Sequence, residues 1–319
     1  MPAKKQIERL PYVDDFLLHI QANNYSEETL YNYERDLETF ANFLAREAAS
    51  LPFGKMSKRT IEQFKAYLNS QDRRTAKERA GEKRLSSGTI NRNLTSLRRY
   101  LAYLIDMDYG APLDPSAIKL LRREKPHPQV SELAELIRLI ESPMRFEKDP
   151  LVALRNRAAL ETLFASGMRI SELINLKRAQ LDNSGRVFIQ GKGKKQRFIY
   201  LTDRSKKHIA AYLKTRADDS PYLFIPNRGL NAGDKSKHIS ANYLQMKIKR
   251  YRELLGINVP TSAHSLRHGF ATYLAEEGAN PAAIQILLGH ESLDTTTRYV
   301  HASDKYAEST HRKFHPLKE

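Results

Sequence analysis

The stretch at residues 260–301 reads PTSAHSLRHGFATYLAEEGANPAAIQILLGHESLDTTTRYVH, and the rest of the chain is organised around it. Apolar residues recur in it every four positions, at Leu266, Phe270 and Leu274. This period predicts a helix that buries one face, with Gly278 as its C-terminal stop.

Two basic side chains lie near the start of this predicted helix. His264 and Arg267 are three residues apart, so they share one helical face about a turn from each other. Thr261 or Ser262 can cap the helix, which puts His264 near an N-terminus whose backbone N–H groups favour an anion. The spacing therefore suits chemistry on a phosphodiester.

A second helix is predicted by its end signals. Asn280 is suited to the N-cap, Pro281 to the first turn and Gly289 to the position just past the last turn. His290 therefore leaves the helix at a fixed point. Tyr299 follows nine residues later, which is close enough in sequence to return beside it.

Three interpretations fit this stretch taken alone. The first is an ordinary helical core with polar residues on its solvent side. The second is a metal site, because His264 and His268 are four residues apart; however, no glutamate stands between them as in H-E-x-x-H, and the chain has no cysteine. The third is a phosphoryl-transfer site, which requires further cations elsewhere in the chain.

Such cations occur upstream. Residues 151–177, LVALRNRAALETLFASGMRISELINLK, predict a helix, a break at Ser166-Gly167 and a second helix that opens near Arg169. An arginine there adds its charge to the positive end of the helix dipole, an arrangement suited to an anion. Glu172 follows one turn later, where we expect it to hold an active-site cation rather than project into solvent.

A β-hairpin is predicted at residues 186–201, RVFIQGKGKKQRFIYL. Two short runs rich in β-branched and aromatic residues flank a Gly-Lys-Gly turn. Lys192 lies between Gly191 and Gly193, and two glycines allow a hairpin tip to approach a ligand closely. From the tripeptide alone, a solvent-exposed turn lysine is the simpler interpretation.

At these positions the sequence resembles the tyrosine recombinase (phage integrase) family, most closely its Xer type. The matching stretches are ASGMRISEL (165–173), IQGKGKKQR (189–197), HSLRHGFAT (264–272) and LLGHESLDTTTRY (287–299). The resemblance implies a catalytic set made of Arg169, Lys192, His264, Arg267, His290 and Tyr299. It also implies a fold that is mainly α with a small β-sheet or hairpin in its catalytic domain.

The resemblance gives these residues tasks in DNA strand cleavage. Tyr299 would be the nucleophile and would form a 3′-phosphotyrosyl bond, leaving a free 5′-hydroxyl. Arg169 and Arg267 would donate paired N–H bonds to the non-bridging phosphate oxygens, which a lysine could not do. His290 would be a third donor.

Two further tasks concern protons. Lys192 would protonate the departing 5′-oxygen, since an ammonium is a better acid than a guanidinium. His264 would either accept the proton of the tyrosine or donate to the phosphate. No metal, nucleotide or other cofactor is expected, because the bond energy stays in the phosphotyrosine. Tyr306 is the nearby rival to Tyr299 as nucleophile.

The chain is predicted to form two domains. The segment RREKPHPQV (122–130) contains two prolines and four charges and has no periodicity, so it is the predicted linker. Residues 1–125 would form an all-helical, SAM-like core-binding domain, and residues 126–319 an α+β catalytic domain with a C-terminal tail. Both parts are basic: the net charge of +16 divides into about +5 and +11, as expected for a clamp on DNA.

Several basic residues are candidates for contacts with the DNA backbone. They are Arg92, Arg98 and Arg99 in the first domain, and Lys194, Lys195 and Arg197 on the hairpin. The alternative is that these side chains only project into solvent, from a helix face in the first domain and from the hairpin in the second. The charged stretch at residues 71–85 is predicted to be a loop that acts mainly through its charge. The tail beyond Tyr299 is expected, by resemblance, to dock into a neighbouring protomer.

The implied partners are a double-stranded DNA recombination site and other protomers. Four protomers would act on two duplexes, either as a homotetramer or as a heterotetramer with a paralogous recombinase, with an accessory activator as a further partner. No apolar run approaches the ~20 residues that span a bilayer, no signal peptide is recognisable, and no membrane partner is expected; a cytoplasmic location is predicted.

The resemblance favours a site-specific recombinase with a Xer-like role in resolving chromosome or plasmid dimers. A phage or mobile-element integrase is the alternative within the family. A type IB topoisomerase and a non-catalytic DNA-binding protein are alternatives from other classes. Relaxation of a plasmid that lacks any target site would favour the topoisomerase, and the absence of a covalent DNA adduct would favour the DNA-binding protein.

Overall fold

A computed structural model of the protein describes residues 9–46, 48, 51–70, 85–122, 131–182, 184–191 and 196–289. The chain divides into two compact units, Met1–Pro126 and His127–Glu319. This division lies one residue after the boundary that the linker composition predicts. Of the predicted loop at residues 71–85, all but Leu85 lies outside the described residues, as does the tail beyond Tyr299.

The described part of the first unit is helical. Its α-helices are α1 (Val13–Ala22), α2 (Glu27–Arg46), α3 (Lys58–Asn69) and α4 (Ser87–Asp106). Local signals set where they begin: Ser57 and Thr60 form a capping box before α3, and the Ser86 hydroxyl accepts from Thr89 N at the start of α4.

Large apolar side chains from all four helices of the first unit meet in one core. Phe16, Phe40, Phe64 and Tyr100 are among its fully buried members. Their rings contact one another mainly edge to face, as between Phe40 and Phe64 with centroids 4.8 Å apart. The unit therefore has the separate hydrophobic core expected of a domain.

The second unit combines helices with one small sheet. Its elements are α5 (Leu133–Glu141), α6 (Pro143–Phe146), α7 (Pro150–Ser166), α8 (Ile170–Ile174), β1 (Arg186–Gln190), β2 (Gln196–Tyr200), α9 (Asp203–Leu213), α10 (Ala241–Leu254), α11 (Ala263–Glu276) and α12 (Pro281–Leu288). The fold is thus mainly α with a small β-sheet, as predicted.

Helix α7 lies at the centre of the second unit. It packs against α6, α9 and α11, and most of its residues are buried, including Asn156 and Thr162. Its even burial explains why it carries no clear polar face. Gly167 ends it in the left-handed conformation, with φ +60°, as the predicted break requires.

The hairpin forms as predicted. Strands β1 and β2 pair antiparallel, with Val187 opposite Ile199 and Ile189 opposite Arg197. Residues directly opposite each other share a face of the sheet, and Val187, Ile189 and Ile199 are buried. Arg197 is therefore on the inward face.

The two helices of the opening stretch are confirmed as well. Ser262 caps α11 by accepting from Ser265 N, and Gly278 adopts φ +84° just beyond the helix. Asn280 caps α12, Pro281 is its first residue, and Gly289 ends it with φ +62°. In the described ranges, every helix is too short or too polar to cross a bilayer.

Candidate active site

Three arginines donate hydrogen bonds to the C-terminal end of α12. Its last carbonyl groups have no partner within the helix and carry the negative end of its dipole. The Leu287 carbonyl accepts from Arg197 Nε at 3.0 Å and the Leu288 carbonyl from Arg267 Nη2 at 2.6 Å. The Gly289 carbonyl accepts a longer bond, 3.4 Å, from Arg169 Nη2. Guanidinium groups from the N-cap of α8, from β2 and from α11 thereby meet at one helix end.

Arg267 is the most buried of the three arginines. Its residue is 3% exposed, and its Nη1 donates to the Gly167 carbonyl at 2.6 Å. Together with the Leu288 bond, this contact joins the end of α7 to the end of α12. Gly167 also packs against Phe270 of α11: a Cβ at this position would overlap the Phe270 ring, so any larger residue would displace that ring.

Glu172 fixes the other two arginines. Its side chain is 3% exposed, and both of its oxygens accept from Arg197 at 2.8 Å in a two-pronged pair. The same oxygens accept from the Arg169 backbone N–H at 2.7 Å and from Arg169 Nη1 at 3.1 Å. The sequence-based hypothesis that Glu172 holds a site cation agrees with these contacts.

The charge state of Glu172 follows from these contacts. Burial by itself would raise the pKa of this carboxyl, but hydrogen bonds from Arg197 and from the Arg169 N–H, together with both positive charges, hold it below its ordinary value. Glu172 is therefore a carboxylate at neutral pH. It carries one negative charge against two arginines, so the group keeps a positive excess.

His264 lies in the field of this group. Burial lowers its pKa, and the positive charges of Arg267 and Arg169 lower it further, so its imidazole is mainly neutral at pH 7. Its ring contacts the ring of His268 edge to face, with centroids 4.3 Å apart. A neutral imidazole beside two arginines can accept a proton, which suits the first of the two roles considered for His264.

The structure thus brings together three of the six predicted catalytic residues, Arg169, His264 and Arg267. Among the three arginines at the end of α12, Arg169 is the most accessible, with a side chain 34% exposed. The other three, Lys192, His290 and Tyr299, lie outside the described residues. In sequence, His290 directly follows Gly289, whose carbonyl accepts from Arg169.

The sequence predicts Arg197 as a contact to the DNA backbone or as a solvent-exposed hairpin residue, whereas the structure buries most of its side chain. Its side chain is only 9% exposed, and its guanidinium is engaged by Glu172 and Leu287. The physical reason is strand alternation: Arg197 is two residues from the buried Ile199 and faces inward with it. That period could have predicted its direction. Lys194 and Lys195 lie outside the described residues.

Of the candidate DNA contacts in the first unit, Arg92 is held within the unit. Its Nη2 pairs with the buried Asp36 at 2.8 Å, and its Nη1 donates to Asn32 at 2.9 Å. These contacts join α4 to α2, which favours a structural task for Arg92. Arg99 is exposed and donates a long bond to the Tyr25 hydroxyl, and Arg98 is half-buried.

The possibility of a metal site at His264 and His268 can be tested on part of the chain. Within the described ranges, no group of three or more His, Cys, Asp or Glu side chains is arranged to hold a metal ion. The neighbours of these two histidines are instead arginines, whose charge repels a cation.

Comparison with known proteins gives a consistent result. The chain matches the model of the Phage integrase family over residues 131–306 and that of the Phage integrase SAM-like domain over residues 10–112. It is 30% identical to "Tyrosine recombinase XerC" of Thermodesulfovibrio yellowstonii, over 96% of each chain. It is 31% identical to the protein of that name from Lactobacillus delbrueckii subsp. bulgaricus, over 96% of this chain and 99% of that one.

Solved structures share the fold at lower identity. XerH site-specific recombinase bound to a palindromic difH substrate has a TM-score of 0.68 at 21% identity, over 93% of this chain and 82% of that one. A lambda integrase tetramer bound to a Holliday junction has a TM-score of 0.70 at 14% identity, over 92% and 77%.

Proposed function

Given that the chain belongs to the phage integrase family of tyrosine recombinases, we propose that it cleaves and rejoins DNA at a specific site through Tyr299. The observation that carries this proposal is the convergence of Arg169 and Arg267 at the end of α12, with His264 in the electrostatic field of both. Two guanidinium groups and an imidazole suit a phosphodiester, whose transition state places extra negative charge on the non-bridging oxygens.

In the proposed cleavage step, the Tyr299 oxygen bonds to the scissile phosphorus, the bond from phosphorus to the 5′-oxygen breaks, and the 5′-oxygen leaves with a proton from Lys192. The phenol proton passes to His264, whose lowered pKa leaves it neutral and able to accept. Arg169 and Arg267 stabilise the charge on the non-bridging oxygens, with His290 as a further donor. Rejoining reverses these steps, so no ATP is required.

Recovery of the covalent intermediate tests this function. The protein would be expressed in bacterial cells, denatured rapidly, and any DNA attached to it sequenced. We expect a short common site joined to Tyr299, and none with Tyr299→Phe. Tyr306→Phe is the matched control and should retain the adduct. Absence of any adduct with the wild-type protein would instead favour a non-catalytic DNA-binding protein.

Lys192 is proposed as the general acid. The 5′-oxygen is a poor leaving group unless it is protonated, and an ammonium can supply that proton. Lys192→Ala should cleave ordinary DNA very slowly but largely recover on a substrate whose bridging 5′-oxygen is replaced by sulfur, because a thiolate leaves without a proton. Arg169→Ala should not recover. Equal rescue of both variants, or of neither, would refute this role.

The proposed substrate is duplex DNA, handled by four protomers on two duplexes in a Xer-like resolution of chromosome or plasmid dimers. Similarity to XerC proteins over 96% of the chain supports this role over a phage or mobile-element integrase. The proposed tetramer is either a homotetramer or a heterotetramer with a paralogous recombinase, and an accessory activator is proposed as a further partner. The proposed location is the cytoplasm, where chromosomal DNA lies.

Contacts with the DNA backbone are proposed for Arg98, Arg99, Lys194 and Lys195. With a net charge of +16, binding should weaken steeply as salt rises, because neutralised phosphates release counterions. A flat salt response measured by fluorescence anisotropy would count against a clamp that grips the backbone.

A further inference from the structure

Arg197 is a nearly buried cation to which the proposed cleavage chemistry gives no task. Its guanidinium binds both oxygens of Glu172, and its Nε donates to the Leu287 carbonyl at 3.0 Å. Removing an arginine side chain from water is costly unless its N–H groups are well satisfied. Arg197 makes three short contacts, two to α8 and one to α12, so its position is fixed by the fold and is not a chance surface ion pair.

The geometry links Arg197 to Arg169 through one carboxylate. Glu172 Oε1 accepts from an Nη1 of each arginine, and Oε2 accepts from Arg197 Nη2 and from the Arg169 backbone N–H. The planar fork of Arg197 fixes the plane of the carboxylate. That plane in turn sets the direction in which Glu172 meets the Arg169 side chain.

The charges of the two arginines also link Arg197 to Arg169. With both arginines present, the single negative charge of Glu172 is shared between two cations. Without Arg197, the whole attraction of a buried carboxylate would fall on Arg169, at a depth where charge interactions are stronger than in water. Arg169 would then be drawn towards Glu172 and away from an incoming phosphate.

A glycine supports the same arrangement from the side of α12. A Cβ on Gly289 would lie 3.0 Å from Arg197 Cδ and 3.2 Å from its Nη1. The Arg197 side chain thus packs across the end of α12, next to the carbonyl that accepts from Arg169. Strand β2, helix α8 and the end of α12 are tied together at this one residue.

We propose that Arg197 is a positioning residue that acts through Glu172 to keep the charge of Arg169 available to the scissile phosphate. This assignment rests on the proposed function of Arg169. It replaces the expectation that Arg197 itself touches DNA.

The test uses a substrate whose scissile phosphate is replaced by a neutral methylphosphonate. An arginine that neutralises a non-bridging oxygen makes the enzyme prefer the charged phosphate, and its loss reduces that preference. Single-turnover cleavage of both substrates, on the site recovered with Tyr299, gives the ratio of the two rates for each variant. A variant that only unfolds more easily loses both rates equally, so its ratio stays unchanged.

Arg157 provides the matched control. Its side chain is 7% exposed, and it pairs at 2.7 Å with Glu161, another buried glutamate of the same unit. We expect Arg197→Ala to lower the phosphate-to-methylphosphonate ratio by at least about tenfold, in the same direction as Arg169→Ala. Arg157→Ala should keep the wild-type ratio. Arg197→Lys, which retains the charge but not the fork, should give an intermediate ratio and serves if the alanine variant does not fold.

The outcomes separate the two proposals. If Arg169→Ala changes the ratio and both folded Arg197 variants keep the wild-type ratio, Arg197 is only a structural residue and the assignment is wrong. If Arg169→Ala also keeps the wild-type ratio, the proposed task of Arg169 fails and the assignment fails with it.

Discussion

Two buried glutamates of the second unit, Glu161 and Glu172, each bind two arginines, but the two clusters differ in their balance of charge. Glu161 accepts from Arg157 at 2.7 Å and from Arg204 at 2.8 Å. The same two arginines also pair with Glu141, at 3.3 and 3.0 Å. Two carboxylates thus face two guanidinium groups, and the Glu161 cluster is neutral.

The Glu172 cluster keeps a positive excess, because one carboxylate is shared by Arg169 and Arg197. Both central glutamates are buried, and each is paired with one buried and one more exposed arginine, so neither burial nor ion pairing distinguishes a site from a structural network. The excess charge does, since it leaves a field for an incoming anion. Two histidines report this difference.

The two histidines are His264, beside the Glu172 cluster, and His208, beside the Glu161 cluster, and their pKa values report the difference in charge. Burial lowers the pKa of both side chains. His264 then meets the positive charges of Arg267 and Arg169, which lower its pKa further. His208 lies 3.8 Å from Glu161, whose negative charge raises its pKa against the lowering by Arg157, Arg204 and Lys207, whereas no carboxylate is among the causes of the His264 shift.

The largest expected effect on cleavage rate and stability comes from replacing one arginine of each cluster by alanine. Arg169→Ala should slow cleavage by about 10²–10³-fold, the usual cost of one donor to a transition-state oxygen. Its effect on unfolding should be small, about 1 kcal/mol, because the side chain is partly exposed. Arg157→Ala should do the opposite: unfolding becomes easier by up to about 3 kcal/mol, while the folded protein still cleaves.

Single-turnover cleavage and urea denaturation measure the two quantities on the same samples. If both variants lost activity and stability to the same degree, the distinction between the clusters would not hold.

A smaller effect is expected at two glycines with positive φ. Alanine at Gly278 or Gly289 should cost roughly 1–2 kcal/mol of stability in each case, because an L-residue is strained there. Nothing lies within 4 Å of a Cβ at Gly278, whereas a Cβ at Gly289 meets Arg197. Gly289→Ala should therefore also slow cleavage, and Gly278→Ala should not. Thermal unfolding together with the cleavage rate checks this pair, and equal rates would show that crowding Arg197 has no consequence.

The smallest effect concerns the reporter histidines. The pKa of His264 is lowered in part by Arg169, so Arg169→Ala should raise it and leave that of His208 unchanged. Inorganic phosphate, by adding negative charge near the Glu172 cluster, should also raise the pKa of His264 alone. NMR titration of the imidazole Hε1 signals, assigned with His264→Gln and His208→Gln, measures both. A parallel shift of the two histidines would mean that neither cluster has a distinct field.

Much of the fold follows from local signals that the sequence carries openly. Asn280-Pro281 and Gly289 bound α12 because caps and helix stops depend on nearby backbone groups. The Gly-Lys-Gly turn and its flanking runs predict the hairpin for the same reason. The direction of Arg197 was also available from the two-residue period, but its position among other basic residues suggested a solvent-exposed side chain.

The sequence by itself determined which residues could carry the chemistry, where the helices and hairpin begin and end, and that the chain belongs with basic, DNA-handling proteins. Only the tertiary structure decided how the cations are held. Arg267 bonds to a carbonyl 100 positions away, at Gly167, and Arg169 to one 120 positions away, at Gly289. The packing of α7, α11 and α12 determines these hydrogen-bond partners. Residue spacing along the chain does not predict that packing. The same arginine–glutamate pairing therefore becomes a structural tie at Glu161 and a charged site at Glu172.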